Sequence, residues 1–152
     1  MNKKMNKAAF AARFVGFGLA VSLSGWATRQ CGRLSTLPRS PLAPPSWVFG
    51  VVWPILYVTT GLVWAMSQQK QPRFTVDIVM GSITLLCCAW LVVFLCVQSK
   101  WAAVAVLAFV AALSWTSMGV VPGDWRWLMM PLAAWTTFAT VLNTTSATAS
   151  AR

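Results

Sequence analysis

The stretch PPSWVFGVVWPILY, Pro44 to Tyr57, joins a double proline, two tryptophans and a tyrosine to the opening turns of an uncharged hydrophobic run. Lipid-facing filler does not need that chemistry. Aromatic residues crowded at one end of a membrane segment point to an interfacial anchor, a binding surface, or both. The prolines end a loop and Trp47 anchors the helix at the interface, whereas Trp53 and Tyr57 lie deeper, where anchoring no longer explains them.

The rest of the chain has the same solvent preference. Of its 152 residues 58% are hydrophobic and 9% charged, against about 25% charged in a soluble domain, so burial in lipid is the economical reading. Five windows have the length, about 20 residues, that crosses a hydrocarbon core of about 30 Å. They are Ala8–Thr28, Trp47–Ser67, Ile78–Val97, Trp101–Val121 and Trp127–Ala147. The runs are too long and too unalternating for barrel strands, and isolated strands cannot satisfy their backbone in lipid. The prediction is an all-α, multi-pass integral membrane protein: a five-transmembrane-helix bundle with a long Pro/Arg-rich first loop, forming one domain over residues 1–152. Arg13 is the one charge inside a window and is expected to snorkel toward the headgroups. Lys3, Lys4 and Lys7 before an apolar run ending at Gly25, Trp26 and Ala27 also have the pattern of a signal peptide, whose removal would leave four spans.

The loops are unequal. Gln98 to Lys100 is so short that the third and fourth helices must form an antiparallel hairpin, and Pro122 to Arg126 ties the fourth to the fifth almost as tightly. The first loop, Arg29 to Ser46, holds Pro38, Pro41, Pro44 and Pro45, which restrict the backbone and disfavour helix, so it reads as a semi-rigid cover over one end of the bundle. Pro54, inside the second span, removes the donor to the Gly50 carbonyl and predicts a loosened turn. Counting basic residues by side gives seven with the N-terminus and five opposite, favouring a cytoplasmic N-terminus. The net charge of +10 is scattered through tails and loops. It forms no stripe for nucleic acid and suits anionic headgroups or an anionic ligand.

The catalytic inventory is nearly empty. There is no His and no Glu, and the two carboxylates, Asp77 and Asp124, stand at span ends as solvated or salt-bridged loop charges. Acid–base catalysis, triads and common metal sites are excluded on residue types. So is a coupled transporter of the multidrug type, which needs an intramembrane carboxylate. Cys31, Cys87, Cys88 and Cys96 show no metal spacing and are expected to form no disulfide framework.

What the chain has in excess is tryptophan, ten residues. Trp26, Trp47, Trp101, Trp125 and Trp127 fall near interfaces, whereas Trp53, Trp64, Trp90, Trp115 and Trp135 lie deeper. At about 100° per residue, Trp53, Tyr57, Thr60, Gly61 and Trp64 share one stripe of the second helix. Ile83, Cys87, Trp90, Phe94 and Val97 do so on the third, and Pro131, Trp135, Phe138, Ala139, Leu142 and Asn143 on the fifth. Each stripe alone reads as helix packing. Three in one small bundle make an aromatic-walled cavity, with Gly61 and Ala139 leaving volume beside the rings. Such a cavity favours flat polycyclic ligands, and Arg29, Arg33 and Arg39 at its mouth add a preference for carboxylates. A porphyrin fits that description, and so does a sterol without the ionic part. No cofactor is required, and axial haem ligation could come only from Cys or Met.

At these residues the chain resembles the translocator protein family, also called tryptophan-rich sensory proteins or peripheral benzodiazepine receptors. LPRSPLAPPSWVFGVVWPILY, Leu37 to Tyr57, is similar to the family's first loop and second helix, and PLAAWTTFATVLN, Pro131 to Asn143, to its fifth-helix signature. The resemblance implies a membrane receptor or carrier with a pocket beneath the first loop for porphyrins, sterols or benzodiazepine-type compounds. Its walls would include Trp53, Trp90, Trp135 and Ala139. It also implies, as an alternative, light-dependent porphyrin breakdown by pocket tryptophans; if instead every stripe is packing, the residues read as a scaffolding membrane protein without ligand. The chain departs from the family at Cys87, where Asn is common, at Leu132 and Thr144, where Tyr is common, and in lacking the proposed cholesterol motif after Tyr57. The family implies a homodimer through small residues of the third helix. Gly81 is followed four positions later by Leu85, so the small pair here is Ala108 and Ala112 on the fourth helix.

Overall fold

The computed structural model describes residues 6–33, 40–67 and 73–149. Five helices of 20 to 22 residues dominate it: α1 (Lys7–Ala27), α3 (Ser46–Ser67), α4 (Arg73–Val92), α5 (Lys100–Val120) and α6 (Met130–Ala149). A short helix, α2 (Arg29–Arg33), follows α1. α4 runs directly into a π turn, Val93–Val97, and a 3₁₀ segment, Gly123–Met129, leads into α6. No strand occurs among the described residues.

Four helical stretches, Lys7–Ala27, Ser46–Ser67, Phe74–Val97 and Lys100–Val120, are long and apolar enough to cross a membrane. α6 is as long but richer in hydroxyls, and it is not among the four. Those hydroxyls fold back onto the helix itself. Thr136, Thr140 and Thr144 each donate to the carbonyl one turn earlier at 2.8 Å, which satisfies the polar group without water.

α5 with α6, α1 with α3 and α4 with α5 are the most extensive pairings, and α1 also meets α4. The α4–α5 hairpin turns at Gln98, which takes the left-handed conformation at φ 56°. Trp115 of α5 donates to Thr137 Oγ1 of α6 at 3.0 Å. The core runs through all of these elements, with Phe17, Leu56, Met80, Ile83, Met129 and Leu132 fully buried. α3 stays helical through Pro54.

Five expectations are corrected. Gly61 does not leave volume beside the rings: the Phe14 carbonyl of α1 occupies the place a Cβ would take, so the glycine is spent on the closest approach of two backbones. Arg13 does not snorkel. Its Nε and Nη2 each donate to one Asp77 oxygen at 3.0 Å, and Trp64 Nε1 donates to the same carboxylate at 2.7 Å. Asp77 therefore belongs to a helix rather than a loop, because α4 begins at Arg73, and the candidate span Phe74–Val97 does carry a carboxylate. The bidentate partner makes both charges tolerable there, and the pair ties α1, α3 and α4 together. Finally, Cys31 and Cys96 form a disulfide with Cα atoms 4.9 Å apart. The two lie 65 residues apart in sequence, so only the topology, which carries α2 and the end of α4 to one end of the bundle, brings them together. The first loop, too, is partly helical, since α2 falls within it.

Candidate functional site

α3 carries an aromatic stripe. Phe49, Trp53 and Tyr57 recur every four residues, one turn of helix, so their rings line one face. Trp53 and Tyr57 have ring centroids 5.9 Å apart. At its deep end Tyr57 meets Phe17 of α1 edge-on at 6.0 Å and packs over Gly18, whose missing side chain makes room for it. The Tyr57 hydroxyl pairs with Ser22 of α1, and the Cys87 and Cys88 thiols of α4 are its electrostatic neighbours. At the loop end Phe49 meets Trp135 of α6 edge-on at 5.4 Å, and Trp135 contacts Phe138 at 5.7 Å. Edge-to-face contacts at these separations match the ring quadrupoles and contribute about 0.5–1.5 kcal/mol each beyond area burial.

Trp90, near the end of α4, and Phe94, in the π turn that follows, stack with centroids 5.3 Å apart. Among the described residues their rings make no ring–ring contact with Trp53 or Trp135. Cys87, one turn earlier, is buried. The Trp90 indole N–H is buried with no hydrogen-bond acceptor, and so is the Thr60 hydroxyl on α3. Most hydroxyls of this bundle are turned onto a backbone carbonyl, so two unsatisfied groups on the predicted stripes stand out against a cost of about 1–3 kcal/mol each. Asn143 is already engaged, its Nδ2 donating to the Ala139 carbonyl at 2.8 Å. Phe138 faces outward, 40% exposed.

The sequence-predicted residues thus fall into three groups. Trp53 and Tyr57 join α3 to α1 and to Cys87. Trp135 joins α6 to α3, with outward-facing Phe138 beside it. Trp90 and Phe94 form a separate stack where α4 passes into the π turn. Of the three arginines, Arg29 is exposed on α2, Arg33 lies in α2, where its side chain is outside the described residues, and Arg39 is outside them altogether. Phe49 and Phe17 escaped the sequence reading, although Phe49 carried a usable signal in standing one turn before Trp53.

The end of the first loop is fastened to α6. Buried Ser40 shares a 2.7 Å hydrogen bond with Thr145, two residues past Asn143, and its hydroxyl also accepts from the Leu42 amide at 3.2 Å. The start of the loop is fastened by the Cys31–Cys96 bridge, two residues past Phe94. Both attachments lie at the end of the bundle that carries Trp135 and Trp90.

The chain matches the TspO/MBR family over residues 9–148. It belongs to that family. The match spans both stretches that carried the resemblance and nearly everything between and around them, so the aromatic stripes are those of a TspO/MBR membrane protein. No curated protein matches the chain. Among the described residues of this TspO/MBR member there is no group of three or more metal-ligating side chains.

Proposed function

We propose that this TspO/MBR protein is a five-span receptor or carrier that binds a flat tetrapyrrole between the aromatic line of α3 and the tryptophans of α4 and α6, beneath the first loop. The observation that carries the reading is that line itself. Phe49, Trp53 and Tyr57 stand one turn apart on α3, Trp53 in contact with Tyr57, Tyr57 with Phe17 of α1 and Phe49 with Trp135 of α6, a surface suited to stacking on a polycycle. The unpaired Trp90 N–H supports it by offering a buried donor to a ligand acceptor, and exposed Arg29 stands at the loop end, where propionates would need a partner. Sterols and benzodiazepine-type compounds fit the same apolar walls without the ionic contact.

Titrating protoporphyrin into the detergent-solubilised protein and following tryptophan fluorescence tests the reading. Saturable quenching is expected. Replacing Trp53 and Trp135 together by Phe should weaken binding by about 1–3 kcal/mol, roughly ten- to a hundredfold. Unchanged affinity in that variant would place the ligand elsewhere.

A further inference from the structure

Two unfavourable backbone features stand side by side where α4 passes toward α5. The turn Val93–Val97 is π, a form that sets one residue more into its turn than an α-helix and occurs mostly at functional positions. Gln98 follows it with φ 56°, the one left-handed backbone on a residue other than glycine among those described, where a side chain crowds the carbonyl beyond it. The run VFLCV holds no glycine or proline to break an α-helix there. Continued as α-helix, α4 would hand its surplus residue to the connection, which would then run from Val97 to Ser99, and Cys96 would turn by about 100° around the axis.

The Cys31–Cys96 bridge opposes that relaxation, and its other end is firm. α2 follows α1 after Thr28 alone, whose amide and hydroxyl both donate to the Ser24 carbonyl. α1 in turn lies on α4 just before the turn, where Gly25 faces Leu91. With the two Cα atoms 4.9 Å apart, a bridged Cys96 has no freedom to turn away. The same turn carries Phe94, stacked on Trp90, whose N–H is buried without an acceptor. Cys96 is exposed and Cys31 half-buried, so a dissolved thiol reaches the bridge.

We propose that the Cys31–Cys96 bridge is a redox switch on the π turn: oxidised, it holds the turn and with it the Trp90–Phe94 stack; reduced, it lets residues 93–97 return to α-helix, which shifts Phe94 across Trp90 and weakens ligand binding there. The consequence for a ligand rests on the binding reading above, whereas the change of turn does not. A thiolate of a dithiol reductant attacks one sulfur of the bridge and forms a mixed disulfide, and the other cysteine leaves as a thiolate that takes a proton. The second thiol of the reductant then closes its own ring, freeing the remaining cysteine. Two electrons pass to the bridge, and the dithiol becomes a cyclic disulfide. In the reduced protein Gln98 leaves the left-handed region.

The test is NMR of the isotope-labelled full-length protein in nanodiscs, first alone and then with protoporphyrin as the probe. Dithiothreitol on the wild type, and Cys31→Ser without it, should both move the Cα resonances of Val93 to Gln98 and the Trp90 indole N–H, and leave those of Trp53 and Trp135 in place. Both should weaken protoporphyrin binding roughly two- to tenfold, the worth of one ring contact. Gln98→Gly makes the left-handed backbone acceptable, so its response to dithiothreitol should be smaller than the wild type's, which separates a relaxing turn from the mere loss of a bond near Trp90. Resonances unchanged on reduction would overturn the switch, and so would an undiminished response in Gln98→Gly. Finding Cys31 and Cys96 as free thiols in protein isolated with an alkylating agent and no reductant would do the same. Moved resonances with equal protoporphyrin affinity would overturn the coupling to the site. If neither form binds protoporphyrin the binding reading fails, and the resonances of the ligand-free protein alone decide the switch.

Discussion

Gly61 shows how one residue sets the spacing of two helices. With the Phe14 carbonyl where a side chain would begin, even a methyl group forces α1 and α3 apart. Gly61→Ala should destabilise the protein by about 1–3 kcal/mol, the usual range for overpacking, read as a lower thermal midpoint in detergent; an unchanged midpoint would mean the helices are not this close. The Asp77 carboxylate is a second such residue, since it accepts from both Arg13 and Trp64. Asp77→Asn leaves a partly buried guanidinium without its charge partner and should cost about 1.5–3 kcal/mol. Arg13→Gln added to it should restore part of that loss, and simple additivity in the double variant would show that the two side chains do not interact. Trp53, Tyr57 and Trp135 were legible in the sequence because a helix repeats its faces at a fixed angle. The glycine contact and the ion pair were not, because both depend on which helix lies opposite.

At the scale of elements, the helices were legible to within a few residues where apolar runs have abrupt ends, as in α1, α3 and α5. α4 begins five residues before the predicted start because Asp77, a loop residue by its charge alone, is neutralised inside the helix. α6 begins three residues late because the chain first passes through a 3₁₀ segment. The π turn had no sequence signal, yet it decides where Cys96 points. Inserting one alanine after Leu91, in the regular part of α4, should rotate the residues beyond it by about 100°, carrying Cys96 away from Cys31. The bridge should then be lost, seen as two additional alkylatable thiols by mass spectrometry under non-reducing conditions. Retention of the bridge in the insertion variant would show that the register of α4 is not what aims Cys96.

For the whole molecule, we propose a cytoplasmic N-terminus, which would suit both the disulfide and the basic residues. Disulfides persist on oxidising sides of membranes, and the bridge lies at the end of the bundle opposite the N-terminus, whose side also carries seven of the twelve basic residues. In a bacterial inner membrane, an alkaline phosphatase fusion at the C-terminus should be active and a green fluorescent protein fusion there dark. The reverse pattern would contradict the combination of a cytoplasmic N-terminus with five spans. The central claim is that the deep tryptophans, and not those at the interfaces, receive a tetrapyrrole. Nitrogen-labelled indole NMR during protoporphyrin titration tests it most directly. The N–H resonances of Trp53, Trp90 and Trp135 should shift saturably, with Trp90 moving furthest as its unpaired donor gains an acceptor, while Trp26, Trp101, Trp125 and Trp127 stay in place. Shifts confined to the interfacial tryptophans, or spread evenly over all ten, would contradict the account.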